Sequence, residues 1–145
     1  MQCLYVLPQG SVLMPLLFAA YVSLVGDLTE SFGVSYHQFT DDMQLFVAMN
    51  TSNAAPALDS LAQCSAAIRF WFLHNGLWLN RDKLEVIIVR TPQQLRSAAN
   101  ISSIVMAGSR LLVSDKRKSL GIIIDSHLQF YSHASNVARA CNYHT

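Results

Sequence analysis

Apolar and polar positions along this chain of 145 residues change period several times, and each change marks an element. Leu16, Leu17, Phe18, Ala20, Tyr21, Leu24 and Val25 cover every side of a helix, which predicts one that is deeply buried. Pro8-Gln9-Gly10-Ser11 ahead of it is a turn signal, Ser11 is a candidate cap, Pro15 suits the first turn, and Gly26-Asp27 lies near the end. Val34 to Phe39 and Met43 to Val47 are short strand-like runs around Thr40-Asp41-Asp42, which predicts a β-hairpin with two acids at or beside its turn. Leu58, Leu61, Ser65, Ile68 and Phe72 then recur at three- and four-residue steps, an amphipathic helix with a glycine stop near Asn75-Gly76. Glu85 to Val89 is a β-branched run and reads as a strand. Ile104 to Met106 and Leu111 to Val113 flank a second hairpin turn. Lys116-Arg117-Lys118 reads as a charged turn before a strand over Leu120 to Ile124, and Ala134 to Cys141 reads as a helix. Hairpins with helices able to pack on one face predict an α+β fold.

Composition changes the picture in one respect. Apolar residues make up 52% and charged residues 13%, where about 25% charged is usual. So few charges cannot coat a whole surface, and the expectation is one domain, or part of one, whose apolar surface is covered by chain outside these residues. Exposed apolar surface of that kind predicts poor solubility in isolation. The net charge of +1 hides an asymmetry: residues 1–68 carry five acids and no Lys or Arg, while residues 69–145 carry all ten bases and four acids. An acidic half suits cations and a basic half suits phosphates. Cys3, Cys64 and Cys141 are widely spaced and odd in number, which indicates neither a disulfide framework nor a zinc knuckle; Cys141 with His144 and His133 is only a weak metal pattern. Residues 12–25 are too short to span a membrane and follow no basic residue. The expected location is therefore intracellular, nucleus or cytoplasm, neither secreted nor in a membrane.

The adjacent carboxylates of Asp41 and Asp42 are the chemical feature of the chain. Two unit charges ~4 Å apart repel by about 4 kcal/mol at an effective dielectric near 20. They are comfortable in water or around a cation, and hard ions such as magnesium prefer oxygen ligands. A plain solvated turn is the simpler reading of the pair alone, because Asp favours turns.

The surrounding residues resemble a known family. Leu7-Pro8-Gln9-Gly10-Ser11-Val12-Leu13-Met14-Pro15-Leu16-Leu17-Phe18 is similar to the Pro-Gln-Gly-Ser block of the reverse transcriptase domain of LINE-type (non-LTR) retrotransposons. Phe39-Thr40-Asp41-Asp42-Met43-Gln44-Leu45 resembles that family's Tyr-Ala-Asp-Asp block. Trp71 with Asn75-Gly76-Leu77, Leu79-Asn80 and Lys83-Leu84-Glu85 resembles the next block, and Leu120 to Asp125 with Leu128 and Phe130 the one after. The resemblance implies a partial polymerase palm, with a ferredoxin-like antiparallel sheet backed by helices, occupying residues 1–145 as a single partial domain. It implies RNA-directed DNA synthesis with an RNA template, a DNA primer and a deoxynucleotide as partners. Asp41 and Asp42 would be catalytic and bind Mg2+ or Mn2+, since two ions ~3.5–4 Å apart stabilise the attacking and leaving oxygens. Pro8, Gln9, Gly10, Ser11, Phe39 and Thr40 would line the substrate and template, and Lys83 would neutralise or protonate the pyrophosphate. For Lys83 a solvated turn residue is the plain alternative, as a charged turn is for Lys116 to Lys118, which otherwise would meet nucleic-acid backbone.

The sequence also departs from the family. The further catalytic aspartate that the family places on a strand upstream of the Pro-Gln-Gly-Ser block is expected to be absent, with the fingers and thumb. Phe39 stands where the family has Tyr, Thr40 where it has Ala, Met14 and Val6 where it has Gly, and Leu84 where it has Thr. A truncated copy that is inactive as this chain is the resulting expectation, with a non-catalytic remnant that binds RNA or a protein partner as the alternative.

Overall fold

The computed structural model describes residues 14–39, 42–50, 52–91 and 101–143. The chain divides into two compact units, Met1–Leu79 and Asn80–Thr145, and each is taken by itself. The fold is α+β, as the order of elements predicts.

The first unit holds α1 (Met14–Val22), α2 (Leu24–Ser31), β1 (Ser35–Phe39), β2 (Asp42–Phe46) and α3 (Ala54–His74). The single helix expected over residues 16–25 is broken at Ser23 and then continues past Gly26. The Ser23 hydroxyl donates to the Ala20 carbonyl at 2.6 Å, and the Gly26 N–H pairs back only three residues, to Ser23 at 2.9 Å. Such local side-chain bonding competes with the helical ladder. The second half ends at Phe32 and Gly33, whose φ of 67° suits a residue without Cβ.

The burial expected for this helix is not what the structure has. Leu16 is 67% exposed and Leu24 55%, while Val22, Val25 and Thr29 are buried. An all-round apolar helix signals that it wants cover but not where; here one stripe finds it, against α3. Ala57, Leu61, Cys64, Ser65 and Ile68 supply the facing stripe, at the three- and four-residue steps that predict this helix. The Thr29 hydroxyl donates to the Val25 carbonyl at 2.7 Å, so the small polar side chain is satisfied within its own helix. Burial pushes the Cys64 thiol up, against a hydrogen bond with Thr29 that acts the other way. Asn75 caps α3 and Gly76, at φ 71°, ends it. Trp71 is half-buried, its ring 5.3 Å from that of the exposed Tyr21.

The hairpin is seated on α2 by Tyr36. Its ring lies over Gly26, where an added Cβ would overlap the phenol, with the ring carbon bearing the hydroxyl only 2.6 Å away.

The second unit opens with a short 3-10 turn, Arg81–Lys83, capped by the Asn80 side chain accepting from the Asp82 N–H at 3.1 Å. The strand expected over residues 85–89 is reduced to β3 (Val86–Ile87), which pairs in parallel with β5 (Ser109–Ser114). β4 (Ser103–Met106) pairs antiparallel with β5 and completes a sheet ordered β3-β5-β4. Its turn is Ala107-Gly108, both at positive φ (48° and 77°), the signature of a tight primed hairpin turn. Val86, Ile88, Ile104 and Ala107 are buried in this unit.

Lys116 to Lys118 form a strand, not a turn. β6 (Lys116–Ser119) pairs with β7 (Ile122–Asp125), and the turn falls on Leu120-Gly121, again at positive φ (48° and 84°). A non-glycine residue in that conformation is uncommon, which hides the turn from a sequence reading. After β7 the Asp125 carboxylate gathers the chain: Oδ1 accepts from the N–H groups of His127 and Gln129, and Oδ2 from that of Phe130, each at 3.0 Å. The loop so held carries Leu128 and Phe130 at φ 56° and 57° and leads into α4 (Tyr131–Tyr143).

Both the Tyr36 seat and the Asp125 turn have measurable consequences. Gly to Ala inside a helix ordinarily stabilises by up to about 1 kcal/mol. Here Gly26→Ala is expected to destabilise by about 1–3 kcal/mol in a denaturant titration, because Tyr36 must move; an equal or higher midpoint would show that Tyr36 does not rest there. For Asp125, the N–H of Gln129, then those of His127 and Phe130, hold the carboxyl below its ordinary value of 3.8. Its folded value being depressed, its stabilisation is complete above the unfolded value and is lost as pH falls through the folded one. Asp125→Ala should therefore lower the melting temperature at neutral pH and converge with the parent as pH falls through the depressed folded value; a constant gap across the acid range would refute this role.

Candidate functional site

The position of Asp42 is set by strand register. β1 and β2 pair as Ser35 with Phe46, Tyr36 with Leu45, His37 with Gln44, Gln38 with Met43 and Phe39 with Asp42. Residues directly opposite share a face, and faces alternate along each strand. Tyr36, Gln38, Met43 and Leu45 therefore form one face, and His37, Phe39, Asp42 and Gln44 the other. The first face is the one that Tyr36 seats on α2, so Asp42 stands on the opposite, open face beside Phe39, which is 58% exposed. Only two residues, Thr40 and Asp41, link the strands. The hairpin is thus the one that the sequence predicts, with Asp42 as the first residue of β2.

Thr40 and Asp41 lie outside the described residues, as do Pro8, Gln9, Gly10 and Ser11. Lys83 is exposed on the 3-10 turn of the second unit. Beside the hairpin, a cleft of about 390 Å3 is lined by Ala19, Ser23, Tyr36, His37 and Gln38.

The donors at this hairpin fit a hard divalent cation in kind, being carboxylate oxygens adjacent in the chain. Among the described residues, of which Asp41 is not one, no three of His, Cys, Asp and Glu come together to hold a metal ion. No catalytic step through a metal is derived from them.

A second constellation is met by the sequence reading on one side only, at Lys116 to Lys118. In the second unit, a cleft of about 560 Å3 lies between β6 and α4, lined by Lys116, Arg117 and Lys118 on one side and by Tyr131, Ser132 and Arg139 among others on the opposite side. The helix side is legible afterwards as polar residues at positions 132, 135, 136 and 139, the spacing of one helical face.

Compared with known families, residues 2–124 match the model of the reverse transcriptase (RNA-dependent DNA polymerase) family. The chain belongs to the reverse transcriptase family. Neither the curated proteins nor the solved structures compared with it include a match. Reverse transcriptases copy nucleic-acid templates from deoxynucleotides and in general use divalent metal ions. The family match takes in the hairpin with both acids, runs through both compact units, and stops within β7. No helix among the described residues is long and apolar enough to cross a membrane.

Proposed function

We propose that this reverse transcriptase chain is the palm of a LINE-type (non-LTR) element, a single partial domain over residues 1–145. Asp41 and Asp42 are its metal-binding, catalytic carboxylates. The observation that carries the reading is the pairing of Phe39 with Asp42 at the start of β2, with Asp41 the residue before it in sequence, in a chain of this family. A bound Mg2+ or Mn2+ would relieve the repulsion between the adjacent acids and supply the charge that phosphoryl transfer requires. Pro8, Gln9, Gly10, Ser11, Phe39 and Thr40 face the nucleotide and the template in this reading. Lys83, on an exposed turn, meets the pyrophosphate leaving group.

In the same reading these 145 residues alone are inactive, since Thr40 and Met14 add bulk where the family has Ala and Gly. A second reading, a non-catalytic remnant that binds RNA, is favoured by the basic cleft between β6 and α4.

Two measurements test this. In a Mn2+ titration followed by water-proton relaxation, a weak site is expected that disappears in the variant carrying Asp41→Asn and Asp42→Asn; an unchanged titration would remove the acids from metal binding. In a primer-extension assay on an RNA template, the 145-residue chain is expected to add no nucleotide. Template-dependent synthesis abolished by Asp42→Asn would overturn the inactivity and support the chemistry.

A further inference from the structure

We propose that the cleft between β6 and α4 is an interface between two copies of this chain, and that its occupant is the acidic face of α2 from the second copy. Asp27 and Glu30 of one copy then meet Lys116 and Lys118 of the partner subunit. The inference goes beyond the proposed function and needs neither Asp41 nor Asp42. The helix side of the cleft also lies beyond the family match, since α4 begins after residue 124.

The cleft carries charge left unanswered among the described residues. No carboxylate lines it. Arg117 is already engaged, its Nε 3.5 Å from Glu85 Oε2. Lys116, Lys118 and Arg139 make no ion pair among the described residues. Asp125, opposite Lys116 in the register, has both oxygens taken by backbone N–H groups. Lys116 and Lys118 are both exposed. They sit two residues apart on one strand, so they share a face about 6–7 Å from each other.

α2 carries the complement. Its buried positions are Val25, Gly26 and Thr29. Leu24, Asp27, Glu30 and Ser31 fall on the opposite arc of the helix and are all exposed. Asp27 and Glu30 stand three residues apart, about 5–6 Å on a helix, close to the spacing of the two lysines. Neither makes an ion pair among the described residues. Residues 1–68 hold no Lys or Arg. Glu30 sits in the last turn, where the helix dipole opposes an acid and no base offsets it. A cation from a second chain relieves both conditions. Leu24, 55% exposed beside the acids, and Tyr131, 73% exposed at the edge of the cleft, give the contact an apolar rim.

The occupant follows from where the complement lies. One chain carries both faces, so a two-fold axis makes the contact twice, each copy giving its α2 and receiving the other. The doubling matters for stability. A specific interface buries about 800 Å2 per partner, and a helix of 8 residues supplies only part of that.

The test is sedimentation equilibrium of the full chain over a range of salt. A species of twice the chain's mass is expected at low salt, dissociating as salt rises. Two charge reversals, Asp27→Lys with Glu30→Lys and Lys116→Glu with Lys118→Glu, should each weaken self-association on the order of tenfold or more. Mixed in equal amounts, the two variants should associate as tightly as the parent. In the mixed pair each reversed face meets a reversed one, and each native face a native one. That rescue separates reversal of charge from damage to the fold. A parent chain that is monomeric at low salt would overturn the proposal; if it then binds a labelled oligouridylate, the cleft belongs to nucleic acid instead. Association that salt does not weaken would also overturn it, since it points to apolar aggregation. So would a mixture that associates no more tightly than its components. Because the Mn2+ titration reads only the acid doublet, failure of either assignment leaves the other intact.

Discussion

The contact of Tyr36 with Gly26 is the constraint on which the acid hairpin depends. Two antiparallel strands alone are marginal in water, and an acid at the end of such a ribbon has no fixed position. Seating one face of the hairpin on α2 gives it a third element to pack against. Because side chains alternate strictly across the strands, that choice also decides the other face: once Tyr36 points to the helix, Phe39 and Asp42 must point away from it. The glycine therefore does more than permit a close approach. It selects which face of the hairpin is open, and through the Phe39–Asp42 pair it puts a carboxylate on that face.

Much of this was legible in the sequence wherever local chemistry and periodicity agreed. The stripe Leu58, Leu61, Ser65, Ile68 specifies α3, Asn75-Gly76 its end, and the alternating runs around Thr40-Asp41 the hairpin. The misreadings share a cause. Ser23 breaks a helix through a hydroxyl-to-carbonyl bond that no periodicity reveals. Leu120 adopts a left-handed conformation that its side chain disfavours, which moves the turn to Leu120-Gly121 and makes a strand of Lys116 to Lys118. The apolar helix announces burial, yet its outer residues Leu16 and Leu24 are exposed, since hydrophobicity names no partner. The cleft between β6 and α4 was illegible for another reason: its two sides become neighbours only after the loop held by Asp125 has turned the chain.

That loop shows how one side chain can stand in for a core. Leu128 and Phe130 hold backbone conformations that cost non-glycine residues of order 1 kcal/mol or more each. Three N–H groups converging on one carboxylate offset that cost, and charge-assisted bonds of this kind are stronger than neutral ones. α4 has no buried residue of its own, so its place against β7 relies on this turn and on the contact of the His133 ring nitrogen with the Ile123 N–H, at 3.5 Å. An exposed helix held at its base can carry a polar face without giving up core.

The chain's division of charge then acquires a physical meaning. Five acids lie among residues 1–68, and nine of the ten bases lie beyond residue 79, in the second unit. A metal site and a phosphate site impose opposite requirements: the first needs negative charge concentrated until a cation relieves it, the second needs positive charge left unpaired. Holding both in one cluster would let them neutralise each other. The proposed metal ligands lie in the unit Met1–Leu79 and nine of the ten bases in the unit Asn80–Thr145. Changes at Phe39, Thr40 and Met14 bear on nucleotide chemistry, whereas the cleft between β6 and α4 draws on none of them.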